Sequence, residues 1–107
     1  MNTKIKWLSP DEGGRKTLIP ITSNGKNDNR YCPIIMIQNV DNTKNTVNWS
    51  ADIYIQSYTD KYESNAKVSY LSENAPFELL QVGRNFNLYE GNRLVATGQF
   101  VSVLFQP

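Results

Sequence analysis

The sequence predicts an all-β fold, a barrel or a sandwich, on three observations. Val47, Trp49, Ala51, Ile53 and Ile55 alternate with Asn48, Ser50 and Asp52, the period-two pattern of a strand with one buried face. Five further short segments are rich in β-branched or aromatic residues and are bounded by Gly, Asn, Asp, Ser or Pro. No stretch carries a helical period of useful length. At 107 residues the chain is read as one domain, 1–107, large enough to bury a core without a metal or disulfide.

In chain order the strands are expected at Lys4 to Leu8, Pro33 to Gln38, Val47 to Ile55, Lys67 to Leu71, Asn85 to Tyr89 and Leu94 to Leu104. The polar, turn-rich segments Ser23 to Arg30 and Asp41 to Asn45 read as exposed loops. Glu78 to Val82 follows Pro76 and would make at most one helical turn. Gly91-Asn92 is a two-residue hairpin loop between strand-like flanks, and both residues tolerate the positive φ of primed turns. It pairs the last two strands. Gly98, inside the final strand, marks a bulge or a sharp bend where a β-carbon would crowd its neighbour. Closing the sheet would remove the exposed edges that invite aggregation.

The net charge is +1, too small for a domain that grips nucleic acid by electrostatics alone. Its distribution is uneven. Through residue 30 there are six basic residues, Lys4, Lys6, Arg15, Lys16, Lys26 and Arg30, against Asp11, Glu12 and Asp28. The single cysteine, Cys32, permits no internal disulfide and suggests a reducing compartment. The N-terminus lacks the apolar run of a signal peptide, and no segment approaches the roughly 20 apolar residues that span a bilayer. A cytoplasmic protein with no membrane partner is expected. Asn48-Trp49-Ser50 matches a glycosylation sequon, idle without secretion.

The chain has no histidine, which removes Ser-His-Asp and Cys-His arrangements, His-ligated zinc and the usual general base near neutral pH. No catalytic residue, cofactor or metal ligand is assigned. Gly13-Gly14-Arg15-Lys16-Thr17 resembles the tail of a phosphate-binding loop, but Arg15 stands where that motif needs glycine. The acidic pairs Asp11 with Glu12 and Asp60 with Glu63 read as solvated turn residues. Cys32, before Pro33 at the start of an apolar strand, is expected to pack as a small hydrophobe. Tyr54, Tyr58, Tyr62 and Tyr70 could stack bases or anchor a partner, but such residues more often half-bury on a strand face.

Two segments carry a family resemblance. Glu12-Gly13-Gly14-Arg15 follows the apolar run Ile5 to Leu8 and precedes Lys16-Thr17, and Glu90-Gly91-Asn92-Arg93 precedes Leu94 to Gly98. Together they resemble the C-terminal domain of elongation factor Tu, over roughly residues 4 to 20 and 84 to 104. The resemblance implies a six-stranded antiparallel closed β-barrel, standing alone here. In that family the domain holds the T-stem of aminoacyl-tRNA and docks on the GTPase domain. Glu90 and Gly91 match the Glu-Gly that meets the T-stem backbone, with Arg93 retained. Lys16 replaces the family's histidine. The family's Arg-Pro-Gln-Phe aligns with Cys32-Pro33-Ile34-Ile35, so an arginine and a glutamine directed at tRNA are replaced.

The expectation that follows is a non-catalytic binding module contacting tRNA-like RNA or a translation component. The residues expected to carry it are Glu12, Gly13, Gly14, Arg15, Lys16, Glu90, Gly91 and Arg93. The alternative is a protein-protein module, a decoy or immunity-type partner that mimics the factor. No DNA partner is expected, and an apolar surface left bare by the missing domains would let two copies pair.

Overall fold

The computed structural model describes residues 1–19, 29–38 and 48–102. Seven strands lie among them: β1 (Asn2–Trp7), β2 (Arg30–Tyr31), β3 (Ile34–Ile37), β4 (Trp49–Asp60), β5 (Glu63–Tyr70), β6 (Asn85–Glu90) and β7 (Arg93–Ser102). Two short 3-10 turns, Pro10–Glu12 and Phe77–Leu79, also lie among the described residues, where there is no α-helix. No helix there is long and apolar enough to cross a membrane.

All strand pairs are antiparallel, and the order β4-β3-β6-β7-β1-β5 returns to β4 through the β4–β5 pairing. The result is a closed six-stranded barrel, with β2 as one extra strand on β4. β2 and β3 run along β4 in one unbroken register: Tyr31 faces Ile53 and Ile34 faces Ser50. The break falls at Cys32-Pro33, where proline has no N–H to give the ladder; its carbonyl still accepts from the Ala51 N–H at 2.7 Å. Arg30, expected in a loop, therefore belongs to a strand; the rest of that loop and Asp41 to Asn45 lie outside the described residues.

Alternation sets the inside of the barrel. Ala51, Ile53 and Ile55 are fully buried, with Ile5 and Trp7 from β1, Phe86 and Leu88 from β6, and Val95, Ala96 and Phe100 from β7. Val47, the first residue of the expected β4 pattern, lies outside the described residues, and the strand runs on to Asp60 across two bulges. Two buried polar groups are satisfied: the Thr3 hydroxyl donates to the Ala66 carbonyl at 3.0 Å, and the Trp7 indole N–H donates to Ser64 Oγ at 2.9 Å.

Three expectations change. Cys32 is exposed rather than packed, because Pro33, Ile35 and Ile37 take the buried side of the alternation and leave Cys32 on the outward side. The register through Gly98 is regular, so there is no bulge there; the β6–β7 irregularity falls between Leu88 and Tyr89. The expected crowding of the neighbouring strand is present, since a β-carbon at Gly98 would lie 2.2 Å from Phe86 Cζ on β6. The expected turn at Glu78 to Val82 forms one residue earlier, over Phe77–Leu79, and buries Leu79. Residues 103 and 104 of the expected last strand lie outside the described residues.

Candidate functional site

At one end of the barrel the chain leaves β1 at Trp7 and turns back on itself. Ser9 opens the 3-10 turn: its backbone N–H donates to Glu12 Oε1 at 2.9 Å, while its carbonyl accepts from the N–H groups of Glu12 and Gly14. That backbone bond holds the Glu12 carboxyl below its usual range. Gly13 ends the turn in the left-handed region at φ +93°, where a side chain would be strained. Gly14 is buried against the preceding strand, and a β-carbon there would lie 2.0 Å from the Leu8 carbonyl oxygen. Ser9, Glu12, Gly13 and Gly14 together shape the turn that leads into Arg15.

Arg15 reaches across the barrel end to the β6–β7 hairpin. Its Nη1 donates to Glu90 Oε2, and its Nε donates to the Thr17 carbonyl at 3.0 Å. The hydroxyl of Tyr31 donates to the same Glu90 oxygen, and the Arg15 guanidinium carbon sits 5.0 Å from the centre of the Tyr31 ring. Tyr31 in turn packs on Trp7, with centroids 5.7 Å apart. The second Glu90 oxygen accepts from Arg93 Nη2 at 3.0 Å. One carboxylate thus joins β6 to the 8–17 segment, to β2 and to the start of β7.

The charges follow from that geometry. Partial burial alone would raise the Glu90 carboxyl, but hydrogen bonds from Tyr31 and Arg15 outweigh it and hold the group below the usual carboxylate range. Burial likewise works against the Arg15 charge, and the bonds to Glu90 and Tyr31 overcome it, raising the guanidinium further. The Tyr31 phenol is pushed well above its ordinary value, first by burial and then by the Glu90 carboxylate it faces. None of the three is moved toward neutrality, where a general acid or base works. Two arginines meet one glutamate at this carboxylate, and Asp11 and Glu12 in the same 8–17 segment offset the surplus.

The eight expected residues fall into three sets. Arg15, Glu90 and Arg93 meet at one carboxylate, so the two Glu-Gly-x-Arg segments, remote in sequence, are neighbours in space. Glu12, Gly13 and Gly14 shape the turn that presents Arg15. Lys16 and Gly91 are exposed, and Gly91 holds φ +60° at the hairpin tip with open space around its missing β-carbon. Arg30 pairs with a different carboxylate, its Nε donating to Asp52 Oδ1 at 2.8 Å.

Tyr31 is the participant sequence reading did not single out. Its signal is its place just before Cys32-Pro33, at the start of an apolar strand-like segment. Among the tyrosines that were named, Tyr58 donates to the Ile19 carbonyl at 2.7 Å, and Tyr70 is buried between Trp49 and Phe77. Burial pushes the Tyr70 phenol up to about 12. Among the described residues no group of three or more His, Cys, Asp or Glu is placed to hold a metal ion. No family model, curated protein or solved structure matches the chain.

Proposed function

We propose that this barrel is a non-catalytic binding module, akin to the C-terminal domain of elongation factor Tu, that contacts tRNA-like RNA or a translation component. Its contact surface is the barrel end bearing Lys16, Gly91 and Arg93. The observation that carries the reading is the convergence of Arg15 and Arg93 on Glu90, which makes one surface of the two segments that resemble the factor. Arg15 is the anchor of that surface. Arg93, whose side chain is half exposed, and Lys16 are the cations left to meet phosphates. The glycine at the hairpin tip lets a sugar-phosphate backbone approach closely.

Titration of tRNA binding against salt tests this reading. Affinity falls linearly on a log-log plot as salt rises, and Arg93→Ala or Lys16→Ala each lowers the slope by about one. Absence of tRNA binding at low salt removes the RNA reading.

A specific observation favours a protein partner as the second reading. Leu71, Phe77 and Val82, in and around the segment between β5 and β6, are each more than two-fifths exposed. In a decoy or immunity-type module such residues bury against the protein that normally recognises the factor, and binding is insensitive to salt.

A further inference from the structure

A concave site lies on the outer barrel wall beside the hairpin, and the chemistry of its lining differs from that of the charged end. Its volume is about 200 Å³, and it is lined by Ile34 and Met36 of β3, Tyr89 of β6, Asn48, and the tip residues Gly91 and Asn92. Ile34 stands directly opposite Tyr89 in the β3–β6 register, and Met36 lies two residues along the same face. Together they give a floor of two aliphatic side chains flanked by one aromatic ring.

The polar groups are arranged around that floor. The Asn48 and Asn92 side-chain amides make no hydrogen bond with any described residue, so each offers a donor and an acceptor. The Tyr89 hydroxyl is aligned from behind. Gln38 Nε2 donates to Asn87 Oδ1 at 2.7 Å, and Asn87 Nδ2 donates to the Tyr89 oxygen at 3.3 Å. With that oxygen accepting, its own proton is left for a ligand. A flat ring whose faces are apolar and whose edge alternates donors and acceptors matches such a lining, and a nucleobase has that shape and edge.

We propose that this hollow binds an unpaired nucleobase, with Tyr89 and Ile34 against its face and the Asn48 and Asn92 amides on its edge. The inference rests on the RNA reading and names the part of the RNA that enters. Arg93 closes the same two-residue turn that contributes Gly91 and Asn92, and it serves the phosphate of that nucleotide. Paired bases cannot enter, because a duplex keeps their faces stacked; the site selects single-stranded or extruded nucleotides.

Fluorescence anisotropy with a labelled single-stranded RNA octamer tests the inference, alongside an abasic octamer of the same backbone and free nucleoside 5′-monophosphates. Variants are Tyr89→Phe, Tyr89→Ala, Asn92→Ala and Arg93→Ala, each checked for an unchanged β-sheet circular dichroism spectrum. The octamer binds about tenfold more tightly than its abasic counterpart. Tyr89→Ala and Asn92→Ala remove that preference, while Arg93→Ala weakens both ligands alike. Tyr89→Phe preserves folding and loses part of the preference, which covers the case in which Tyr89→Ala unfolds. Nucleotides that bind in a Tyr89-dependent manner while both octamers fail support the hollow and overturn the RNA reading. Equal binding of both octamers, unaffected by Tyr89→Phe or Asn92→Ala, overturns the hollow and leaves the charged end standing. Failure of all three ligands overturns both.

Discussion

Arg15 and Glu90 are 75 residues apart in the chain and share a hydrogen-bonded ion pair at one end of the barrel. Each side chain is about one-quarter exposed, so the pair is shielded more than a surface bridge and solvated more than a core one. The same carboxylate also takes hydrogen bonds from Tyr31 and Arg93. A bond from the loop after β1 to the hairpin between β6 and β7 fixes the orientation of both segments. It makes their exposed cations parts of one surface.

Tyr31→Phe isolates one arm of this arrangement. The ring keeps its packing on Trp7 and beneath Arg15, and only the hydroxyl donating to the Glu90 carboxylate is lost. Hydrogen bonds to charged groups are worth about 1.5–3 kcal/mol. Urea unfolding should show a loss of about 1–2 kcal/mol with an unchanged m value. An unaltered midpoint would mean that the hydroxyl bond has no energetic weight.

The carboxylates give the protein a defined response to acid. Glu90 and Glu12 both titrate below their ordinary value of 4.5 in the folded state. Their contribution to stability is therefore complete above that value and is lost as pH falls through the folded values. Midpoints of urea unfolding should hold steady from pH 7 to about pH 5 and fall below it. In Glu90→Gln the decline is shallower, since one of the two groups no longer titrates. An identical acid slope in both proteins would count against the Glu90 assignment.

The period-two pattern around β4 and the turn residues made the all-β class legible, because one buried face leaves a direct trace in sequence. Closure is different: it is made by the β4–β5 and β1–β5 pairings, and no local pattern records which strands meet. β2 was missed for a physical reason. Two residues are too short for a period, and Arg30 follows a polar, turn-rich run. The Glu-Gly-x-Arg segments drew attention through their composition. Their meeting through Glu90, with Tyr31 as a further donor, depends on the turn at Ser9 to Gly14 and on the register of β2. Both lie beside Arg15 or Tyr31, but Glu90 is 75 residues beyond the first and 59 beyond the second, so no local pattern records the meeting.

Gly98→Ala tests the space argument for the last strand. The added methyl would lie 2.2 Å from Phe86 Cζ, and Phe86 is fully buried against Phe100 with centroids 4.8 Å apart. Overpacking of this kind costs about 1–3 kcal/mol. Adding Phe86→Leu to Gly98→Ala should recover part of the loss, seen as a melting temperature above that of the single Gly98 variant. A Gly98→Ala protein as stable as the parent would contradict the packing described.

Gly91 separates conformation from contact. It sits at φ +60° with nothing within 4 Å of the missing β-carbon, so any penalty of substitution is conformational. Gly91→Ala should lose about 1 kcal/mol, and Gly91→Asn, which tolerates this region, should lose less. If a sugar-phosphate backbone approaches the tip, Gly91→Asn remains folded and binds tRNA more weakly. Unchanged tRNA affinity in that variant would confine Gly91 to the hairpin turn.

A double-mutant cycle of Arg15→Ala and Glu90→Gln, read as unfolding free energy in urea, tests most directly whether the two segments form one unit. Groups in contact couple by about 0.5–3 kcal/mol, and a coupling of about 1–3 kcal/mol is expected here because the pair is charged and partly shielded. Additive effects of the two substitutions would show that the segments act independently, and would contradict the joined surface on which the proposed function rests.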